Sequence, residues 1–347
     1  KNYTRELLRD TLTEIGPALT AAKQNYYDRA RSIGPYDVKI LMESTLYGLP
    51  MYRITSGGTL APEDPFPSAA ITSTAPSAFG EVNVGQLGYG LAGSFGVTET
   101  DDGTSLSLDG WTHFSAGEPV QPIFFADATA PEAGSLHGAV FLGGSYSDTH
   151  GFDPVIALPF NEYVTATDEP DFAASGWYPP VPFQVRTGDS ISTTAETMVT
   201  LLGQYNSAAG TERAYEDMSF GTYYSSSPDR EQPTIERVDG VLDQAAGSAL
   251  IKVEASDASG VIRVVLAHTD GGGSWRSHDL SHDGTANKWT GVISATTETT
   301  YFVQAVDGAG NVAIDDRKGH YHGLSPPLPL VESALNRIYL PLVLRGG

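Results

Sequence analysis

Tyr301-Phe-Val-Gln-Ala-Val-Asp-Gly-Ala-Gly-Asn311 is the stretch of sequence that decides the fold. Tyr301 and every second residue after it, as far as Ala305, project to one face of an extended strand, and we expect that face to fill a core. The strand then runs into a turn, because Gly310 and Asn311 tolerate the positive φ that tight turns require. The stretch therefore predicts a half-buried strand followed by a turn.

The same rhythm extends outward over residues 232–323. Apolar residues alternate with polar ones at Ile251/Val253, Ile262/Val264/Leu266, Trp275 and Trp289. Turn sequences separate these runs at Asp257–Gly260, Asp270–Gly273, Asp283-Gly284 and Asp307–Gly310. About seven strands in about 90 residues is the size of an immunoglobulin-like (Ig-like) β-sandwich. The pattern of the opening stretch also resembles the penultimate strand and turn of bacterial Ig-like or fibronectin-type modules. That resemblance implies a fold and no chemistry.

Residues 79–231 are expected to form a second β-sandwich or jelly roll with large loops. Short apolar runs occur there at Val120–Phe125, Gly138–Leu142, Val155–Leu158, Pro182–Val185, Met198–Leu202 and Met218–Tyr224. Residues 55–78 consist mostly of Gly, Pro, Ser, Thr and Ala, which is typical of a linker. The last segment, 324–347, is rich in proline and then apolar, and we expect an edge strand or a peptide read by an export or anchoring machine.

Residues 1–54 carry a helical pattern instead. Apolar residues recur at spacings of three and four, which predicts amphipathic helices over about 4–12, 17–32 and 38–46. Pro17 suits the first turn of the second helix, where no backbone donor is needed. A strand is predicted over 51–54. This segment is too short to enclose a core, so its apolar face needs a partner within this chain or on another.

Composition excludes several classes of function. The 20 Lys and Arg residues stand against 42 Asp and Glu residues, giving a net charge of −22 that repels nucleic acid and anionic membrane surfaces. The chain contains no cysteine, which removes disulfides, thiolate metal sites and a Cys nucleophile. No apolar run approaches the roughly 18 residues of a membrane span. Plentiful Thr, Ser, Gly, Asp and Tyr suit an extracellular or cell-surface bacterial β protein.

Two N-terminal stretches resemble the end of a gingipain-type cysteine peptidase domain. They are Ile15-Gly-Pro-Ala-Leu-Thr-Ala-Ala-Lys-Gln-Asn-Tyr26 and Leu41-Met-Glu-Ser-Thr-Leu-Tyr-Gly-Leu-Pro-Met-Tyr-Arg53. The resemblance implies that residues 1–54 are the terminal α/β elements of a caspase-like domain. In that family the catalytic His and Cys lie upstream of this helix, so no catalytic residue is transferred to this chain. Residues 203–224 likewise resemble the closing strands of a β-sandwich that follows such domains.

Acidic turns are the candidate metal site. Asp257, Asp307 and Asn311 lie in two predicted turns between strands, and Asp315 follows closely. Calcium prefers six to eight oxygen ligands from carboxylates and carbonyls, which such turns can supply. The competing interpretation is that these Asp residues cap their own turns, since no Asp-x-Asp-x-Asp-Gly loop is present.

Other sites are weaker. The stretch from Gly143 to Ser147 resembles a nucleophile elbow incompletely, because position 147 is not glycine, and we interpret it as a strand. Histidines near His278 and His320 could hold zinc or copper, and exposed aromatic residues could line a sugar-binding groove. For both, an ordinary structural role is the favoured interpretation.

These observations give two hypotheses. In the first, the chain is the non-catalytic C-terminal portion of a secreted or surface gingipain-like cysteine peptidase, where it stabilises, spaces or anchors an upstream peptidase chain that packs on residues 1–54. Proteolytic processing would cleave the two chains from each other and leave them associated. In the second, it is an extracellular structural or adhesive surface protein that self-assembles, with residues 1–54 as a docking element. A self-sufficient metallohydrolase ranks last, because no metal triad or general base is evident.

Overall fold

The computed structural model describes residues 12–29, 37, 39, 41, 53–55, 74–76, 82–90, 95–108, 111–129, 134–157, 172–186, 196–284 and 287–324. Among these residues the fold is mainly β, as predicted, with large antiparallel sheets and a helix, α1 (Ile15–Arg29), near the N-terminus. No helix among these residues is both long and apolar enough to cross a membrane.

The strands fall into an N-terminal and a C-terminal series. The first series is β1 (Leu12–Glu14), β2 (Arg53–Thr55), β3 (Thr74–Pro76), β4 (Asn83–Gly90), β5 (Gly96–Thr100), β6 (Gly103–Ser107), β7 (Thr112–His113), β8 (Gln121–Asp127), β9 (Ser135–His150), β10 (Trp177–Tyr178), β11 (Phe183–Arg186), β12 (Thr197–Leu201), β13 (Gly203–Asn206), β14 (Thr211–Tyr215) and β15 (Asp217–Ser225). The second series is β16 (Thr234–Asp243), β17 (Ser248–Ser256), β18 (Val261–Thr269), β19 (Ser274–His282), β20 (Lys288–Ser294), β21 (Thr300–Asp307), β22 (Val312–Asp315) and β23 (His322–Gly323).

The first series packs two sheets around an aromatic core. One sheet has the order β11-β12-β8-β7, and the other is built around the long strand β9, which pairs with β15 and β14. Phe141 of β9 contacts Phe220 of β15 with ring centroids 5.7 Å apart, and Phe183 of β11 packs 5.1 Å from Phe220. These rings are buried, so their apolar area supplies much of the stabilisation of the sandwich.

One predicted strand in this region is absent. Val155–Ala157 forms only isolated bridges and single backbone hydrogen bonds, such as Val155 N–H to Thr104 O of β6 at 3.0 Å. The prediction of a strand from 155 to 158 was therefore wrong for the described residues 155–157. Val155 donates to Thr104 while its carbonyl accepts from Val120, so the hydrogen bonds of the segment are divided between two partners and no ladder continues along either.

Strands β16 to β22 correspond to the roughly seven strands predicted from the spacing of apolar residues and turns over 232–323. The sheet β16-β17-β20 faces the sheet β19-β18-β21-β22, and the side chains of Tyr301, Val303 and Ala305 lie between them with at most 1% exposure. Gly310 has φ +92°, as expected of the turn. Asn311 does not adopt a positive φ, so that part of the prediction was wrong; its side chain is buried in a hydrogen-bond network instead.

Strands of the two series share a sheet. Ser274 to Arg276 of β19 pair with Gly143 to Ser145 of β9, so the ladder runs from one predicted domain into the other. The side-chain amide of Gln304 in β21 also acts as a strand partner for Phe141, accepting from its N–H at 2.7 Å and donating to its carbonyl at 2.9 Å. The two predicted domains are thus joined by hydrogen bonds from β9 to β19 and β21.

The N-terminal predictions fall partly on described residues. Helix α1 begins at Ile15, two residues earlier than predicted, and holds Pro17 in its first turn. Strand β2 includes residues 53 and 54, the last two of the strand predicted over 51–54, and β2 pairs with β1. Leu12 lies in β1 and not in the predicted helix over 4–12, whose other residues lie outside the described ones. Most of the predicted linker, and all of the tail beyond Leu324, also lie outside them.

Candidate metal centre

Three carboxylates meet where three connections converge at one end of the C-terminal strands. Asp229 precedes β16, Asp257 lies between β17 and β18, and Asp307 ends β21. Each offers one carboxylate oxygen within 4.8 Å of the other two. Calcium–oxygen distances of about 2.3–2.6 Å would allow one ion to contact all three oxygens.

Close packing of two turns brings Asp257 and Asp307 together. The Gly308 N–H donates to Gly260 O at 2.8 Å, so the β17–β18 turn lies directly against the β21–β22 turn. A Cβ atom on Gly308 would stand 2.6 Å from Ser259 O, which is closer than real Cβ atoms approach. Glycine at position 308 is therefore what allows the carboxylates to approach each other.

Asp307 is the most buried member of the cluster, with no exposed surface. Its Oδ1 accepts from the N–H groups of Ala309 at 2.9 Å and Asn311 at 2.8 Å, and its Oδ2 accepts from Asn311 Nδ2 at 2.8 Å. Burial raises the pKa of the Asp307 carboxyl, the hydrogen bonds from Asn311 and Ala309 oppose that rise, and the charge of Asp257 adds to it. A bound cation would relieve that repulsion.

The other two carboxylates also organise their own turns. Asp257 Oδ1 accepts from the N–H and the hydroxyl of Ser259, both at 2.7 Å. Asp229 Oδ1 accepts from Glu231 N–H at 3.1 Å. Capping and cation binding are compatible here, because the hydrogen bonds described for these two residues use one carboxylate oxygen each.

Asn311 links the cluster to a buried histidine. Its Nδ2 also donates to Asp229 O at 3.4 Å, and its Oδ1 lies 3.1 Å from His137 Nδ1. Because Asn311 Oδ1 can only accept, His137 Nδ1 carries the proton of that bond. Burial, and then the charge of Arg230, lower the pKa of His137, so the ring is neutral at pH 7. Its second nitrogen, Nε2, is buried without a hydrogen-bond partner.

The structure separates the four residues predicted from sequence. Asp257 and Asp307 lie together. The side chain of Asn311 instead donates to Asp307 through Nδ2 and accepts from His137 through Oδ1. Asp315 pairs with Val303, four strand residues (about 13 Å) from Asp307, and binds His322 Nε2 at 3.1 Å. Asp229 was missed, because only the fold brings position 229 next to 257 and 307; its one sequence signal is the turn-forming Ser-Ser-Ser-Pro before it.

Neither of two hydroxyls with polar partners has the geometry of a nucleophile with its base. Ser145 lies inside β9, as the strand interpretation predicted, and donates to the Asp217 carboxylate. Thr211 Oγ1 lies 2.9 Å from His150 Nδ1, but its hydroxyl donates to Ala209 O at 3.1 Å. Its proton is therefore directed away from the imidazole, which is the opposite of what general-base activation requires.

A second polar centre lies buried in the N-terminal sandwich. Glu212 of β14 is 2% exposed, and its Oε2 accepts from Gln121 Nε2 at 3.3 Å. Burial raises the pKa of Glu212 to about 8; the hydrogen bond from Gln121 opposes the rise, and the charge of Asp148 adds to it. At pH 7 the carboxyl is therefore mostly protonated. A protonated Glu212 can donate to Gln121 Oε1, which is otherwise buried without a hydrogen-bond partner.

Comparisons with known proteins do not decide the family. No protein-family model and no curated protein matches the chain. Among solved structures, a chain of the complex of Porphyromonas gingivalis RgpB pro- and mature domains is 12% identical with a TM-score of 0.34, over 46% of this chain and 86% of that one. A structure of gingipain K from the same organism, solved to explain its zymogenic latency, is 14% identical with a TM-score of 0.30. The match covers 45% of this chain and 92% of that one. A Ruminococcus gnavus β-glucuronidase is 9% identical with a TM-score of 0.18, over 70% and 34%. TM-scores this low do not show a family or a function for this chain.

Proposed function

We propose that this chain is a rigid, non-catalytic portion of a secreted or surface bacterial cysteine peptidase of the gingipain type, where it stabilises and spaces a peptidase chain. The peptidase part of the proposal is supported by the N-terminal sequence motifs. The proposed role as a spacer is supported chiefly by one structural observation: the β-ladder continues from β9 into β19. A spacer must hold its ends at a fixed separation, and two β-modules sharing a sheet do so better than two joined by a flexible linker.

Packing at the same junction supports rigidity. Trp275 and Phe302 of the C-terminal strands lie 6.3 Å and 6.2 Å from Phe141 of β9, ring centre to ring centre. Tyr321, between β22 and β23, receives a hydrogen bond at 2.9 Å from Gln204 of β13. Buried aromatic and polar contacts of this kind resist bending between the modules.

Residues 12–55 supply the expected contact with a peptidase chain. The contacts described for α1 are with β1, with Leu41, whose carbonyl accepts from Lys23 Nζ at 2.5 Å, and with Asp37, which accepts from the Tyr26 hydroxyl. Ala18 and Ala22 of α1 are buried within this chain, whereas Tyr27 is 56% exposed. The proposal places the upstream peptidase chain against the exposed side of α1, where Tyr27 lies.

Mass spectrometry of the natively purified particle tests the proposal. Its chains are resolved under denaturing conditions after treatment with an alkylating probe for cysteine peptidases. We expect a second polypeptide at one copy per copy of this chain, carrying the probe on a cysteine. Because this chain has no cysteine, all labelling must come from the partner. A particle without a labelled partner contradicts the proposal, and open-ended homopolymers would favour the structural or adhesive alternative.

Replacing Gln304 with leucine is expected to lower the free energy of unfolding by about 3 kcal/mol, because the N–H and C=O of Phe141 lose their partner in a buried site. Chemical denaturation measures the change. The matched control is Gln86→Leu, at an exposed position of β4, which should change stability by less than about 0.5 kcal/mol. Equal effects of the two substitutions would show that Gln304 does not join the modules.

Calcium binding by Asp229, Asp257 and Asp307 is the second part of the proposal. We expect the Tm to be about 5 °C higher in millimolar calcium than in chelator, because a ligand that binds only the folded state stabilises it. Asp307→Asn should remove the response, since it deletes a charge from the cluster, whereas Asp315→Asn, at the His322 contact, should preserve it. An unchanged Tm with and without chelator would exclude a calcium site here.

A further inference from the structure

The outer face of the sheet β16-β17-β20 is an ordered set of cross-strand rows. Pairing places Val241 beside Leu250 and Leu250 beside Val292, and all three side chains are exposed, by 46%, 40% and 58%. Charged rows lie next to this apolar row: Asp239 is opposite Lys252, and Arg237 is opposite Glu254. The apolar row of Val241, Leu250 and Val292 lines the bottom of a shallow depression and extends to β16.

Strand β16 is an edge strand in the part of the chain that the structure describes, since it pairs with β17 on one side only. A bulge between Ile235 and Arg237 interrupts its N-terminal half. The remaining segment, Arg237-Val-Asp-Gly-Val-Leu-Asp243, is regular and contains neither proline nor lysine, the residues that commonly protect sheet edges. Seven residues of regular edge are therefore available for pairing with another strand.

We propose that this edge pairs antiparallel with the same edge of a second copy of the chain, about a two-fold axis at Gly240. That register sets Arg237 opposite Asp243 of the second copy, and Asp243 opposite Arg237 of the second copy. A two-fold axis at this glycine is the register that uses the whole regular segment and stops short of the bulge. Both ends of the new ladder then carry opposite charges directly across from each other, which is the favourable arrangement for cross-strand pairs. Arg237 Nε already lies 2.7 Å from Asp239 Oδ2 of its own chain, so the guanidinium would contact one carboxylate of each copy.

The same register brings the two Val241 side chains near the dyad. Val241 lies opposite Asp239 of the second copy, and the two Val241 side chains lie on the same face, diagonally across the new pair. Six strands then form one continuous sheet, in which the apolar row of each copy continues into the charged Asp239-Lys252 row of the other. The charge complementarity matters because each copy carries a net charge of −22, so contact elsewhere is repulsive.

This contact closes on itself. A two-fold interface uses the same surface on both copies, so it consumes the free edge and yields dimers without growth into filaments. The inference is independent of the proposed function, because a closed dimer is compatible with a peptidase partner on residues 1–54 and differs from the open assembly that the structural alternative requires.

Sedimentation velocity of the full chain, from about 1 to about 200 µM, tests the inference. We expect a reversible change from a 36.8 kDa species to one of twice that mass. Arg237→Glu should weaken dimerisation about tenfold or more, since it sets like charges against Asp243. Val241→Asp should do the same, since it sets like charges against Asp239 of the second copy. Amide hydrogen exchange within 237–243 should slow as the protein concentration rises.

Two matched variants control for general effects. Arg276→Glu makes the same charge change at an exposed position of β19, and Val292→Asp makes the second change in the same apolar row two strands from the edge. Both should alter dimerisation less than twofold. A chain that stays at 36.8 kDa throughout, or dimers indifferent to both edge variants, overturns the inference. So does a monomer that dimerises only after deletion of residues 325–347, since the tail would then occupy the edge.

Discussion

Replacing Gly144 with alanine is expected to lower the free energy of unfolding by about 4 kcal/mol, a large fraction of the roughly 5–15 kcal/mol that stabilises a typical protein. Gly144 lies in β9 at the point where pairing with β15 gives way to pairing with β14. A Cβ atom there would stand 3.1 Å from the carbonyl carbon of Asp217 and from Met218 Cα, and closer still to the Asp217 carbonyl oxygen. These are backbone atoms of a paired strand, so relief requires β15 to move.

Urea denaturation followed by circular dichroism and tryptophan fluorescence measures this effect. Gly144 is not in the left-handed region, so alanine brings no backbone strain and the experiment isolates the steric cost. Gly88→Ala in β4 is the matched control, because nothing lies within 4 Å of a Cβ atom there, and its effect should stay within about 0.5 kcal/mol. If Gly144→Ala behaved like Gly88→Ala, the close crossing of β9 and β15 would be refuted.

Glu212→Gln is expected to stabilise the protein at neutral and alkaline pH and to leave it nearly unchanged in acid. Burial raises the pKa of Glu212 from 4.5 to about 8, so between these two values the folded state holds a proton that the unfolded state has lost. The contribution of Glu212 to the free energy of unfolding is therefore highest below about pH 4.5, and it falls by about 1.4 kcal/mol per pH unit as the pH rises toward 8. Glutamine cannot ionise and escapes this loss, which amounts to on the order of 3 kcal/mol at pH 7.

The difference in free energy of unfolding between the variant and the wild type, measured from pH 4.5 to pH 8, isolates this one carboxyl. Other titrating groups cancel in that difference. A matched control is Glu216→Gln, at the exposed residue that follows β14, which should change the free energy of unfolding at pH 7 by less than about 0.5 kcal/mol. A Glu212→Gln difference that stays flat across the range would mean that the carboxyl is ionised when folded.

Local pattern was sufficient to predict the C-terminal strands, because their alternation has a period of two and their turns contain Gly and Asp. Tyr301, Val303 and Ala305 are buried as that alternation requires. It was not sufficient for Val155, whose apolar neighbours suggest a strand although the segment forms only isolated bridges. Val155 donates to Thr104 and accepts from Val120, two partners far apart in sequence from it, and the local pattern does not indicate this division.

The candidate site was predictable only where its residues share a turn. Asp307 and Asn311 are four residues apart, so their proximity follows from the turn itself. The approach of Asp257 depends on the pairing of β18 with β21, and that of Asp229 on the path of the chain from β15 to β16. Those contacts join positions far apart in sequence, and nothing in the local residue types indicates them. Asp315 shows the converse, since nearness along the chain did not bring it to the cluster.

The ladder between β9 and β19 has a consequence for synthesis on the ribosome. Ser145 pairs with Ser274, a partner that is 129 residues further along the chain (274 − 145). At about 5–20 residues per second, roughly 10 s pass between the emergence of the two strands. During that interval Phe141 lacks the rings of Trp275 and Phe302 that cover it in the finished protein. The nascent sandwich therefore presents an uncovered aromatic surface, and slower translation upstream of residue 274 would prolong its exposure to chaperones and to aggregation.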